Sequence, residues 1–209
     1  MKVTFIRHGQ STGNAGIPCN DLSLLELTET GWRQAGAVAA GWTAAPDLIV
    51  TSPYLRTQQT ARPTIERFPD VPVTIWPIQE FTYLEPSRWN GTRSIERKPS
   101  IEAYWRAADP EFCDGPGAES FATLLRRAED ALGRLAELPE DHRVFVFSHG
   151  QFIQAVRTIV LDPVATDRQH MERFWRVDGM PAIGNAELIE LVKGAAEPRF
   201  LVLEGASPG

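Results

Sequence analysis

Apolar residues along this chain fall into two alternating patterns. Short, unbroken β-prone runs occupy residues 2–7, 47–50, 71–76 and 143–148, a pattern that fits strands buried on both faces. Between them lie stretches of helical period. Residues 31–43 are rich in small residues and follow the cap candidates Thr28 and Glu29. A second helix is expected to open at Thr51-Ser52-Pro53 and run through Arg56, Gln59 and Ala61, with Pro63 kinking or ending it. Glu119–Leu138 places Phe121, Leu124, Leu125, Ala128, Leu132 and Leu135 on one face. Helices are also expected near 151–161 and 164–171. Residues 81–118 lack a clear period and carry many Trp, Tyr, Pro and Gly, with one helix near 99–107. Ala186–Val192 and Arg199–Leu203 read as an antiparallel pair around Gly194, followed by a frayed tail at 205–209. Together these elements predict an α/β fold, a three-layer α/β/α sandwich with a mostly parallel central sheet.

Bulk properties narrow the function. At 209 residues the chain suits one domain with a sizeable core. A net charge of −6 argues against general binding to nucleic acid or anionic membrane, so an anion site must be a local cationic cluster. Cys19 and Cys113 belong to no metal-ligand or redox motif and are read as reduced bystanders. The chain runs straight into a strand without a leader pattern, and no apolar stretch approaches the ~20 residues a membrane span needs. A cytoplasmic enzyme is the expectation.

Two of the four histidines end strands in near-repeats: Val3-Thr4-Phe5-Ile6-Arg7-His8-Gly9-Gln10 and Val144-Phe145-Val146-Phe147-Ser148-His149-Gly150-Gln151. In open α/β sheets the ligand crevice lies beyond the carboxyl ends of the strands. If the two strands are neighbours, both imidazoles meet there, beside backbone that glycine leaves open. A neutral imidazole is a competent nucleophile, and an adjacent guanidinium can hold phosphate oxygens and disfavour the imidazolium. Taken alone, His8 reads equally well as a strand-end residue making structural hydrogen bonds. Arg56, early in a helix that starts at a strand's carboxyl edge, adds a second cation able to point into the crevice.

Arg7-His8-Gly9, Ser52-Pro53 with Arg56-Thr57-Gln58-Thr60-Ala61, and Ser148-His149-Gly150 resemble the histidine phosphatase superfamily, the phosphoglycerate mutase-like fold. Leu27-Thr28-Glu29-Thr30-Gly31 with Gln34-Ala35, Gly117-Ala118-Glu119-Ser120 and Asn185-Ala186 extend the resemblance in order over nearly the whole chain. The resemblance implies that His8 attacks phosphorus to form a phosphohistidine that water then cleaves. Arg7, Arg56 and His149 would hold the non-bridging oxygens, with Asn14 and the Gly150 N–H as further donors and no metal or other cofactor required. It also implies an acid after the third strand. Glu80 occupies that place and Glu85 is the second candidate, while Asn90 in Trp89-Asn90-Gly91 departs from the family's usual Glu.

His142 and His170 are expected on the surface, and Glu119 is expected to cap or charge a helix start. Residues 81–118 are expected to form a specificity insert. Arg88, Arg93, Arg97 and Lys98, interleaved with Tyr83, Trp89 and Trp105, read either as a reader of a second anion or flat group, or as a solvated loop. The expected function is hydrolysis of a small phosphate monoester. The alternatives are phosphoglycerate mutase-type transfer, disfavoured because the mutases' longer run with its Trp-Asn pair is missing here, and a non-catalytic phospho-ligand binder. A dinucleotide module fails for want of its glycine turn. The resemblance leans toward a homodimer.

Overall fold

The computed structural model describes residues 1–18, 21–92, 94–175, 183–194 and 200–203. The strands are β1 (Lys2–Arg7), β2 (Leu48–Thr51), β3 (Val73–Ile75), β4 (Arg143–Ser148), β5 (Leu188–Lys193) and β6 (Phe200–Leu203). The helices are α1 (Glu29–Gly41), α2 (Leu55–Arg67), α3 (Pro86–Trp89), α4 (Ser94–Ala107), α5 (Phe121–Ala136), α6 (Gly150–Leu161) and α7 (Asp167–Trp175). The sheet runs β3-β2-β4-β1-β5-β6. The first four strands are mutually parallel, β5 is antiparallel to β1, and β6 is antiparallel to β5.

The continuous apolar runs of β1 and β4 exist because both sheet faces are covered. Val3, Phe5, Val144 and Val146 pack with Leu124, Leu132, Phe152 and Ile153 on the α5/α6 side. Ile6, Ile49, Phe145 and Phe147 pack with Ala61 and with the partly buried Val38 and Trp42 on the α1/α2 side. All six apolar positions expected on one face of α5 are buried. Each large one contributes about 1.5–3 kcal/mol, which is why α5 forms over its full length despite several charged residues. Ser120 caps α5 by accepting from the Thr123 N–H, and Thr28 caps α1 by accepting from the Gly31 N–H.

Several expectations are corrected. Pro53 precedes α2, whose cap is Tyr54, and Pro63 does not end that helix, which continues to Arg67. Thr60, Ala61 and Thr64 are buried there, so packing on both sides of the proline outweighs its lost hydrogen bond. Helix α4 starts five residues ahead of Pro99, and α7 ends at Trp175 rather than near 171. His170 is buried, only 5% exposed, because α7 turns it and Met171 inward and leaves Arg168, Glu172 and Arg173 outside. Burial lowers the pKa of that imidazole, opposed by Asp162 and Asp167. His142 is half-buried in the turn before β4. Glu119 does not cap α5; it pairs with Arg127. Cys19, Arg93, Arg199 and the tail at 205–209 lie outside the described residues, and Cys113 is a free, exposed thiol.

Within 81–118, the rings of Phe81, Tyr83, Tyr104 and Trp105 pack on one another and on Phe121. Trp105 also stacks on Phe174, with centroids 5.3 Å apart. These aromatics hold the segment against α5 and α7. Arg88 pairs with Glu85 and Asp114, and Lys98 with Glu102, on the exposed side. No helix among the described residues is long and apolar enough to cross a membrane.

Candidate active site

Three parallel strands deliver the site. β1 and β4 pair with Arg7 opposite Ser148, the His8 N–H donates to the Ser148 carbonyl at 3.0 Å, and the Ser52 N–H donates to the Phe147 carbonyl at 3.1 Å. The residues that follow these strands are therefore level at one sheet edge. His8 and His149 meet there with ring centroids 5.2 Å apart, exposed by only 2% and 0%.

Their hydrogen bonds fix the tautomers. His8 Nδ1 lies 2.7 Å from the Gly9 carbonyl, which can only accept, so Nδ1 carries the proton and the lone pair is left on Nε2. Arg56 Nη2 donates to His149 Nδ1 at 2.9 Å, so His149 Nε2 carries its proton and donates to Ser52 Oγ at 2.8 Å. Both imidazoles are held well below their usual pKa. For His8, burial is the largest cause, then Arg56, with the Gly9 bond opposing and Arg7 adding. For His149, burial leads, followed by Arg56 and His8, with Arg127 and Arg7 adding. Both rings are neutral at neutral pH.

Two guanidiniums flank the pair. Arg7 Nη1 donates to the Ile183 carbonyl at 2.5 Å, while its buried Nε has no hydrogen-bond partner. A Cβ on Gly150 would stand 3.2 Å from that Nε, so glycine keeps this space open at the start of α6. Arg56 Nη1 donates to the Leu22 carbonyl at 2.7 Å, and its Cζ lies 5.0 Å from the Tyr54 ring centroid. The loop after His8 is pressed onto α1: a Cβ on Gly9 would stand 2.6 Å from the Gly31 carbonyl oxygen, and one on Gly31 2.2 Å from that of Gln10. Either substitution would push His8 out of register. Asn14, exposed, closes the loop as an acceptor, taking hydrogen bonds from Ser11 and from Asn185 Nδ2 at 3.0 Å.

Glu80 completes the site. Its Oε1 accepts from the Gln151 N–H in the first turn of α6 at 3.0 Å and from its own neighbour Phe81 at 3.2 Å. Glu85 turns away to Ser87 and Arg88, whose hydrogen bonds hold its carboxyl below the usual range. The side chains that place Glu80 escaped the sequence reading. Arg127 donates to the Pro77 and Gln79 carbonyls at 2.8 and 3.2 Å while its other nitrogens pair with Glu119 at 3.0 and 2.5 Å. Ser148 Oγ donates to the Ile78 carbonyl at 2.7 Å. These partners are far apart in sequence and follow no periodicity; Ser148 was quoted within its motif and Glu119, one residue before the α5 cap, was flagged for another role, but neither was tied to Glu80.

His8, Glu80 and His149 bring one potential ligand atom each within 4.8 Å of one another, a set that could hold a cation. Its surroundings fit an anion better. Arg7 and Arg56 already supply positive charge, both His149 nitrogens are engaged, and the orphaned Arg7 Nε wants an acceptor.

Comparison with known proteins agrees with this geometry. Residues 3–192 match the model of the histidine phosphatase superfamily, branch 1, and the chain belongs to that superfamily. A relative from Yersinia enterocolitica serotype O:8 / biotype 1B, named "Probable phosphoglycerate mutase GpmB", is 32% identical over 167 residues, covering 77% of this chain and 75% of its own length. The metal-independent phosphoserine phosphatase of Arabidopsis thaliana is 26% identical over 165 residues, covering 74% of this chain and 66% of that protein. Among solved structures, a mycobacterial glucosyl-3-phosphoglycerate phosphatase complexed with VO3 superposes with a TM-score of 0.72 at 26% identity, over 97% of this chain and 96% of that one.

Proposed function

We propose that this protein hydrolyses phosphomonoesters of small metabolites through a phosphohistidine on His8. The observation that carries this reading is the His8 tautomer: Nδ1–H is committed to the Gly9 carbonyl, so a neutral ring presents the Nε2 lone pair between two guanidiniums. In the first step Nε2 attacks phosphorus in line, the ester P–O bond breaks, and the departing oxygen takes a proton from Glu80. In the second, water attacks phosphorus, Glu80 takes its proton back, the P–N bond breaks and phosphate leaves. Arg7 and Arg56 hold the non-bridging oxygens. The His149 Nε2–H, resting on Ser52 here, the Gly150 N–H and Asn14 are the further donors. Charge stabilisation by positioned groups is the main demand of phosphoryl transfer. The phosphohistidine, a cytoplasmic setting and the specificity role of residues 81–118 are parts of this reading.

The name of the Yersinia relative favours a second reading, phosphoryl transfer between hydroxyls of phosphoglycerates. One assay separates the two. Wild type and His8→Ala are incubated with p-nitrophenyl phosphate in EDTA from acid to neutral pH. The phosphatase reading expects nitrophenol release that disappears in the variant. No release, together with interconversion of phosphoglycerates, would replace it with the mutase reading, and full activity in His8→Ala would overturn the mechanism.

A further inference from the structure

A cavity of about 290 Å³ lies beside the phosphate-facing groups, between the turn at 21–23, Tyr54 and residues 82–90. That is the small end of the ~300–1,000 Å³ typical of ligand pockets. Two of its lining residues join it to the site. Leu22 offers its carbonyl to Arg56, and the Tyr54 ring packs against both Arg56 and His149, with its centroid 5.3 Å from that of the imidazole. Across the cavity, Thr82 follows the proposed acid Glu80 by two residues. The cavity thus adjoins Arg56 and His149 through Leu22 and Tyr54 and lies two residues along the chain from Glu80.

The chemistry of the lining is one-sided. Its polar side chains are Asp21, Ser23, Tyr54, Thr82 and Asn90, and among the described residues no Lys, Arg or His lines it. Asp21 accepts from the Ser23 N–H at 2.8 Å and from Ser23 Oγ at 2.6 Å, bonds that hold its carboxyl below the usual range and keep it charged. A second carboxylate or phosphate placed here would lose water, find no countercharge in this lining and face an anion. Hydroxyl and ammonium groups would find acceptors. Of the cations in the 81–118 segment, Arg88 and Lys98 are paired elsewhere on the exposed side.

We propose that this cavity receives the alcohol half of the substrate and selects leaving groups that carry hydroxyl or ammonium donors and no second anionic group, with Asp21 as the discriminating side chain. The proposal rests on the phosphatase reading. It makes a phosphorylated polyol or amino alcohol a better substrate than phosphoglycerate or phosphoserine.

Two matched pairs of esters test it on the purified protein. Glycerol 3-phosphate and 3-phosphoglycerate differ by a hydroxymethyl group in place of a carboxylate. Phosphoethanolamine and phosphoserine differ by the loss of the carboxylate with the ammonium kept. The carboxylate-free member is expected to have the higher kcat/KM by about tenfold or more in at least one pair. The pair with the larger ratio tells hydroxyl from ammonium recognition. Asp21→Asn keeps an acceptor for Ser23 and removes only the charge; it is expected to shrink that ratio several-fold, and added salt to shrink it in the wild type. Equal or better turnover of the carboxylate-bearing members, or a ratio that Asp21→Asn leaves unmoved, overturns the proposal. If p-nitrophenyl phosphate is hydrolysed while that reversal is seen, only the specificity claim falls. If it is not hydrolysed, the phosphatase reading falls and takes this proposal with it.

Discussion

The two walls of the site are built on opposite principles. One wall is the strand-end group of Arg7, His8, Ser52, Arg56 and His149, in which polar side chains are buried and bonded to one another or to backbone within a few residues of β1, β2 and β4. The other is residues 81–118, in which aromatic rings pack together while Arg88 and Lys98 pair with carboxylates on the exposed side. Positive charge occurs on both walls; Arg7 and Arg56 of the first act on the buried histidines, whereas Arg88 and Lys98 of the second pair on the exposed side. Where a cation sits relative to buried backbone, rather than how many cations a segment carries, decides whether it binds an anion.

Breaking the first wall should cost most. Arg56→Ala is expected to lower kcat/KM for p-nitrophenyl phosphate by about 10²–10³-fold, the usual cost of losing one positioned donor to a transition-state oxygen. A loss under tenfold would remove Arg56 from the charge-holding role. The join between the walls comes next. Arg127→Met frees the Pro77 and Gln79 carbonyls and leaves Glu119 half-buried and unpaired, so kcat should fall about tenfold with KM nearly unchanged and stability should drop by about 2 kcal/mol. Equal changes in kcat and KM, or none, would show that this clamp does not place Glu80.

Acid titration sharpens the contrast, because the buried imidazoles belong to the first wall. His8 and His149 have native pKa values below the ordinary value of about 6.5 that they regain on unfolding. As pH falls through about 6.5, the unfolded chain takes up protons that the fold refuses, and stability is lost at up to about 1.4 kcal/mol per pH unit for each group. The loss stops once the depressed native values are passed. His8→Asn should therefore lose less stability than wild type between pH 7 and pH 5 in urea titrations; an equal loss would contradict a neutral, buried His8. The smallest effect is expected on the second wall. Arg88→Ala should leave kcat/KM within about twofold and stability within about 0.5 kcal/mol, as for most exposed ion pairs. A large rise in KM would make that arginine a reader of substrate charge.

This asymmetry also explains what could be read from the sequence. The strand ends at the site were legible because β1 and β4 are unbroken apolar runs that stop at His-Gly, and local pattern fixes where such a strand ends; that the two are neighbours came from the structure. The six-residue face of α5 was legible for the same reason. That α2 runs on past Pro63 to Arg67 was not legible, because local propensity does not see the sheet and α1 against which this helix packs. His170 was misjudged because its charged neighbours concealed which face of a short helix turns inward. Arg127 could not be found, since its bonds to Pro77 and Gln79 exist only once α5 lies against the loop after β3. The same holds for the cavity at Asp21 and Thr82, which joins segments that no spacing connects.

The central claim is that His8 itself carries the phosphoryl group. The most direct measurement is to quench the enzyme in alkali during turnover of a phosphate ester and map the modified peptide by mass spectrometry. The account predicts one phosphoryl group on the peptide containing His8, stable to alkali, lost in acid and missing from His8→Ala. Turnover at full rate with no phosphorylated peptide, or with the label on another residue, would contradict it.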